Sequence, residues 1–102
     1  MKFERTVSFK RDYKNLPEEH KQRFRDAARI FHDDAIEAAT GAPNPWTNSL
    51  RVKTVQGAKG IWEITWSKQH PDGRATWEWV EIDEEQGVRW RRVGNHKVLD
   101  NP

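Results

Sequence analysis

Ile61-Trp62-Glu63-Ile64-Thr65-Trp66-Ser67, a six-residue gap, and Arg74-Ala75-Thr76-Trp77-Glu78-Trp79-Val80-Glu81-Ile82 are the stretch on which the fold turns. Both runs are rich in β-branched and aromatic residues, which suit a pleated, half-buried surface. In the second run Ala75, Trp77 and Trp79 alternate with Arg74, Thr76 and Glu78, the period of a strand with one buried face. The gap, Lys68-Gln69-His70-Pro71-Asp72-Gly73, ends in the Asp-Gly signal of a hairpin. Two antiparallel strands are the first expectation.

Outward from this pair the pattern repeats. Upstream, Leu50 to Val55 reads as a strand, with Leu50, Val52 and Thr54 opposite Arg51, Lys53 and Val55. The glycine-flanked turn Gln56-Gly57-Ala58-Lys59-Gly60 joins it to the next run. Downstream, the acidic turn Asp83 to Gly87 leads to a last strand at Val88, which Gly94 breaks. Connections this short allow only an antiparallel meander, because parallel crossovers need a dozen or more residues.

Before the meander, Leu16-Pro17-Glu18-Glu19 opens a helix: proline suits its first position and two acids complement its dipole. Phe24, Ala27, Ala28, Phe31, Ala35, Ala38 and Ala39 form one apolar stripe, flanked by Ile30 and Ile36. Glu19 with Arg23 and Arg29 with Asp33 are i,i+4 pairs on the wet side. Thr40-Gly41 ends the helix, and Pro43 and Pro45 prevent its resumption. His32-Asp33-Asp34 reads as a solvated helix face, since no second ligand pair lies at i+4 spacing. In the connector Ala42 to Ser49, Trp46 is expected to cover the edge of the sheet or helix. Phe3 to Phe9 alternates as a strand, and Lys10 to Asn15 reads as a polar turn. The fold class is α+β: an N-terminal strand and long helix packed on an antiparallel meander, one domain over residues 1–102. The first strand joins the same sheet, beside either the last strand or the second.

At 102 residues, 34% hydrophobic and 33% charged, the chain has a small core built from large side chains, six of them tryptophan. It has no cysteine, which excludes disulfides and cysteine-based zinc sites. No apolar run reaches the length of a membrane span or a signal segment, so the chain is expected to be soluble and cytoplasmic, with no membrane partner. The net charge of +2 hides segregation, with Arg51, Lys53 and Lys59 in one basic block and Arg89, Arg91, Arg92 and Lys97 in another. If the fold joins the two blocks, an anionic partner follows.

The last strand, Val88-Arg89-Trp90-Arg91-Arg92-Val93-Gly94-Asn95-His96-Lys97, puts several cations and one imidazole at one end of the sheet. Guanidiniums neutralise phosphate, and histidine moves protons near neutral pH. The competing reading is a basic edge strand with a surface histidine.

The order of these motifs resembles the RelE/ParE superfamily of bacterial toxins, nearest to its HigB and YafQ branches. Leu16-Pro17, Leu50-Arg51-Val52-Lys53, Gly60-Ile61-Trp62-Glu63, Gly73-Arg74 and Arg92-Val93-Gly94-Asn95-His96 carry the likeness. The resemblance implies the toxin of a type II toxin–antitoxin system, a metal-independent endoribonuclease cleaving mRNA at the ribosome. It implies a cognate antitoxin and no cofactor. ParE-like members share the fold but poison DNA gyrase, so a non-catalytic toxin is the alternative, with a plain nucleic-acid or protein-binding module as a third reading.

Under the nuclease reading, a ribose 2′-hydroxyl must lose a proton, a phosphorane must be stabilised, and the leaving 5′-oxygen must gain a proton. The resemblance assigns His96 as general acid or base, Arg92 as holder of the scissile phosphate and Arg74 as a second clamp. Glu63 is either a general base or a buried cross-strand partner. Arg51, Lys53, Lys59, Arg91 and Lys97 would bind RNA, and His70 would either reach the substrate or be inert. Two departures stand out. No aromatic residue follows the last strand in Lys97-Val98-Leu99-Asp100, and the proline connector takes the place of the second helix.

Overall fold

The computed structural model describes residues 1–69 and 72–102. Its N-terminal strand, β1, spans only Lys2–Arg5. Thr6 then caps a helix, α1 (Val7–Lys14), its side-chain oxygen accepting the Phe9 N–H at 3.0 Å. A threonine cap satisfies a donor that the first turn leaves orphaned. The expected strand Phe3–Phe9 and the polar turn after it are corrected beyond Arg5. Val7 is 81% exposed, while Phe9 is buried from a helix rather than a strand. The second helix therefore exists; it lies before the long one instead of being replaced by the proline connector.

The long helix, α2 (Glu18–Ala39), starts after Pro17 and ends at Thr40, with Gly41 at φ +87°. It buries Phe24, Ala27, Phe31 and Ala35, and leaves Ile30 and Ile36 on its flanks. Glu19 and Arg23 pair at 2.6 Å, whereas Arg29 reaches Asp26 rather than Asp33.

The remaining strands are β2 (Lys53–Thr54), β3 (Trp62–Ser67), β4 (Gly73–Ile82) and β5 (Glu85–Asn95). Their order is β1-β5-β4-β3-β2, an antiparallel meander with β1 added parallel to β5. Two boundaries need correction. Leu50 closes a 3₁₀ turn (Asn48–Leu50) and Arg51 adopts φ +48°, so the chain reaches the sheet only at Lys53. At the other end, Asp83 and Glu84 both take positive φ and close a two-residue turn, so β5 starts at Glu85. That turn matches the right-handed twist of the strands. Gly94 does not break β5, since it pairs with Arg74.

Register assigns the faces. Trp62, Trp77 and Trp90 are cross-strand neighbours, as are Ile64, Ala75 and Val93, and this face meets α2. Phe31 sits at its centre, its ring 4.9 Å from those of Trp77 and Trp90. Trp46 stacks on Phe31 at 5.5 Å and covers the helix edge as expected. Buried within this aromatic cluster, Trp77 Nε1 has no acceptor among the described residues. On the opposite face, Lys53 pairs with Glu63, Glu63 with Thr76, and Thr65 with Arg74. A β-bulge at Arg91 shifts the alternation of β5: Thr76 faces Arg92 while Trp77 faces Trp90. After β5 a second 3₁₀ turn, His96–Asp100, folds back against β4.

Candidate active site

Three adjacent strands build the floor of a groove of about 400 Å³ on the face away from α2. β2 supplies Lys53, β3 Glu63 and β4 Arg74, while the C-terminal 3₁₀ turn supplies His96 and Leu99 as a wall. Pleating explains the floor, because directly opposite residues on neighbouring strands share a face. Lys53 lies opposite Glu63, and Arg74 lies one diagonal step away.

The floor carries a cation, an anion and a cation. Glu63 is 5% exposed. Its Oε1 lies 3.7 Å from Arg74 Nε, a charge contact rather than a hydrogen bond. Arg74 is anchored through Nη1 to its neighbouring Gly73 carbonyl at 3.1 Å. A carboxylate this buried requires compensating charge, which Arg74 supplies. His96 stands at the groove wall, exposed, just after Asn95, whose side chain accepts the Lys97 N–H and caps the turn. An imidazole, an ammonium, a guanidinium and a carboxylate therefore border one open volume. Such a set can bind a phosphodiester and move protons on either side of it.

The other candidate residues go elsewhere. Arg92 is held by Asp12 of α1, with Nε at 2.6 Å and Nη2 at 3.3 Å, and its Nη1 donates to the Asn101 carbonyl. It lies outside this groove. Arg91 bonds Glu78 at 2.8 Å and the Pro102 main-chain oxygen at 2.9 Å. Lys97 borders a neighbouring groove with Arg92. Arg51 and Lys59 are exposed outside the sheet, in the left-handed turn and in the loop before β3. His70 lies outside the described residues.

Sequence reading did not name Thr54, Val55, Gln56 and Leu99 as site residues, and they complete the groove lining. Leu99 stands near where an aromatic residue was sought and, with Val55, gives the groove apolar lining. It also missed Asp12, eighty positions from Arg92, for which no local pattern gives a signal. Arg89 lies on the same outer face, bonded to Glu4 at 2.6 Å and near Glu78. The Glu4 hydrogen bond raises its pKa above the ordinary arginine value, so this cation does not titrate. His32 stacks on Phe3 at 4.3 Å. Among the described residues no three His, Asp or Glu side chains cluster as metal ligands would. No helix among the described residues is long and apolar enough to cross a membrane.

Two helices packed on a five-stranded mixed sheet are consistent with a RelE/ParE-like toxin fold. Among solved structures, a YoeB/ParE toxin from Agrobacterium tumefaciens is similar: TM-score 0.53, 20% identity, covering 94% of this chain and 99% of that one. By sequence, the chain matches no protein-family profile and no curated protein. The likeness rests on the fold.

Proposed function

We propose that this protein is the toxin of a toxin–antitoxin pair and a metal-independent endoribonuclease acting on mRNA at the ribosome. The observation that carries the reading is the shared groove of His96, Arg74, Glu63 and Lys53. A non-catalytic toxin of the same fold has no need to gather these groups. In the proposed reaction, a ribose 2′-oxygen attacks the adjacent phosphorus as its proton passes to a base. The P–O5′ bond breaks and an acid protonates the leaving oxygen, leaving a 2′,3′-cyclic phosphate and a 5′-hydroxyl. His96 is one of the proton carriers. Glu63 is the other candidate, its burial beside Arg74 equally suited to orienting that guanidinium. Arg74 and Lys53 meet the phosphorane's added charge.

Arg92 takes no direct part in this scheme; it fixes α1 to β5. The cognate antitoxin would cover the cationic groove with an acidic segment.

Induced expression in a bacterial host tests the reading. Growth arrest with newly cleaved transcripts, both lost in His96→Ala and Arg74→Ala, is expected. Arrest with intact transcripts would sink the nuclease and favour another target.

A further inference from the structure

A second cationic recess, of about 160 Å³, lies at the edge where α1 runs beside β5, and Ser8, Arg11, Arg91 and Arg92 border it. Three guanidiniums converge there from two elements. Ser8 and Arg11 are three apart on α1 and share a helix face. Arg91 and Arg92 are brought to the recess as adjacent residues by the β-bulge. Arg91 is held by Glu78 and the Pro102 main-chain oxygen, and Arg92 by Asp12 and the Asn101 carbonyl, so these two are fixed in place while Arg11 carries the charge that no acid of the recess offsets. Neither Arg11 nor the Ser8 hydroxyl has a side-chain partner among the described residues.

The recess is not isolated. Arg92 also borders the intermediate groove of about 320 Å³ that contains Lys97. His96, next to Lys97 in the chain, borders the candidate active site. Cations thus follow one another from Lys53 and Arg74, past Lys97, to Arg91 and Arg11. Spaced cations along a surface path match a polyanion with regularly spaced charges, and a hydroxyl donor among guanidiniums suits phosphate oxygens.

We propose that Ser8, Arg11, Arg91 and Arg92 form a second phosphate subsite for the RNA strand, which passes around the C-terminal 3₁₀ turn over Lys97. The identity of the ligand rests on the nuclease reading; the anion site rests on the arginines.

The test uses the full chain and a 2′-O-methyl RNA oligonucleotide, which has no free 2′-hydroxyl and cannot be cleaved. Its affinity is followed by fluorescence anisotropy across a salt series. Arg11→Gln is expected to flatten the slope of log K against log salt by about 0.7, one single-strand phosphate contact. Ser8→Ala should weaken binding at unchanged slope, and Lys10→Gln, adjacent but outside the recess, should change neither. In parallel, inorganic pyrophosphate should shift the Arg91 Nε–H NMR signal in the wild type and not in Arg11→Gln. Intact binding with an unchanged slope for Arg11→Gln, or equal effects of Lys10→Gln and Arg11→Gln, overturns the subsite and leaves the groove's reading standing. A pyrophosphate response without oligonucleotide binding overturns RNA as the ligand, and with it the nuclease.

Discussion

Asp12 accepts from three donors at once: two guanidinium nitrogens of Arg92 and the Val93 backbone N–H at 3.3 Å. Val93 lies on the half of β5 that β1 leaves unpaired, so the carboxylate closes an open sheet edge as well as an ion pair. Asp12→Ala leaves Arg92 without its charge partner. Breaking a fully buried pair costs about 3–5 kcal/mol; the Arg92 side chain retains 22% exposure, so solvent screening reduces the expected loss to about 1–3 kcal/mol. A fall in urea midpoint for both Asp12→Ala and Arg92→Ala, with the double variant less than additive, checks this. His96→Ala should behave in the opposite way. Its side chain is exposed, so the midpoint should hold while cleavage falls about 10²- to 10⁴-fold, as for loss of a general acid or base. Unchanged stability with lost cleavage for His96→Ala, against lost stability for Arg92→Ala, would separate the proposed proton carrier from the arginine that anchors α1.

At the scale of elements, β1 depends on a glycine. A Cβ at Gly87 would lie 2.7 Å from the Lys2 carbonyl oxygen, directly across the β1–β5 pairing. Because that neighbour is backbone, Gly87→Ala must displace β1, an overpacking cost of about 1–3 kcal/mol; amide exchange should accelerate first in residues 2–5. Thr6 is the other hinge of this region, capping α1 and donating to the Arg91 carbonyl at 2.8 Å. Thr6→Ala should cost about 0.5–2 kcal/mol, read as a lower thermal midpoint. These two positions also explain what was legible in the sequence. The stripe of α2 and the pair β3–β4 could be read because their periods extend over many residues and burial enforces them. Val7 and Phe9 suggested a strand because they continue the alternation of Phe3 and Arg5; on a helix, residues two apart point to different sides, and Val7 is exposed while Phe9 is buried, the helix starting at the Thr6 cap. β2 was overextended because an alternating pattern cannot reveal that Arg51 would turn left-handed. Of the candidate site, Lys53, Glu63, Arg74 and His96 were named from sequence and meet in one groove. Arg92 was named with them, but its partner comes from a helix that the period-2 reading had hidden.

Over the whole molecule, charge is divided by surface. The face toward α2 is aromatic, and the far face carries the candidate groove, the Glu4–Arg89–Glu78–Arg91 ion network and the C-terminal turn. Glu4, Glu63 and Glu78 of the far face are already paired with arginines within the fold, so Lys53, Lys97 and Arg11 remain to meet a ligand beside His96. The measurement that bears most directly on the central claim is the mapping of mRNA ends after the purified protein meets translating ribosomes. Three proteins of equal thermal midpoint would be compared: wild type, His96→Ala and Arg74→Ala. New 5′-hydroxyl ends at defined positions with wild type, absent with either variant, are the predicted result. No new ends with wild type, or the same ends with all three proteins, would contradict the assignment of this groove as a ribonuclease site.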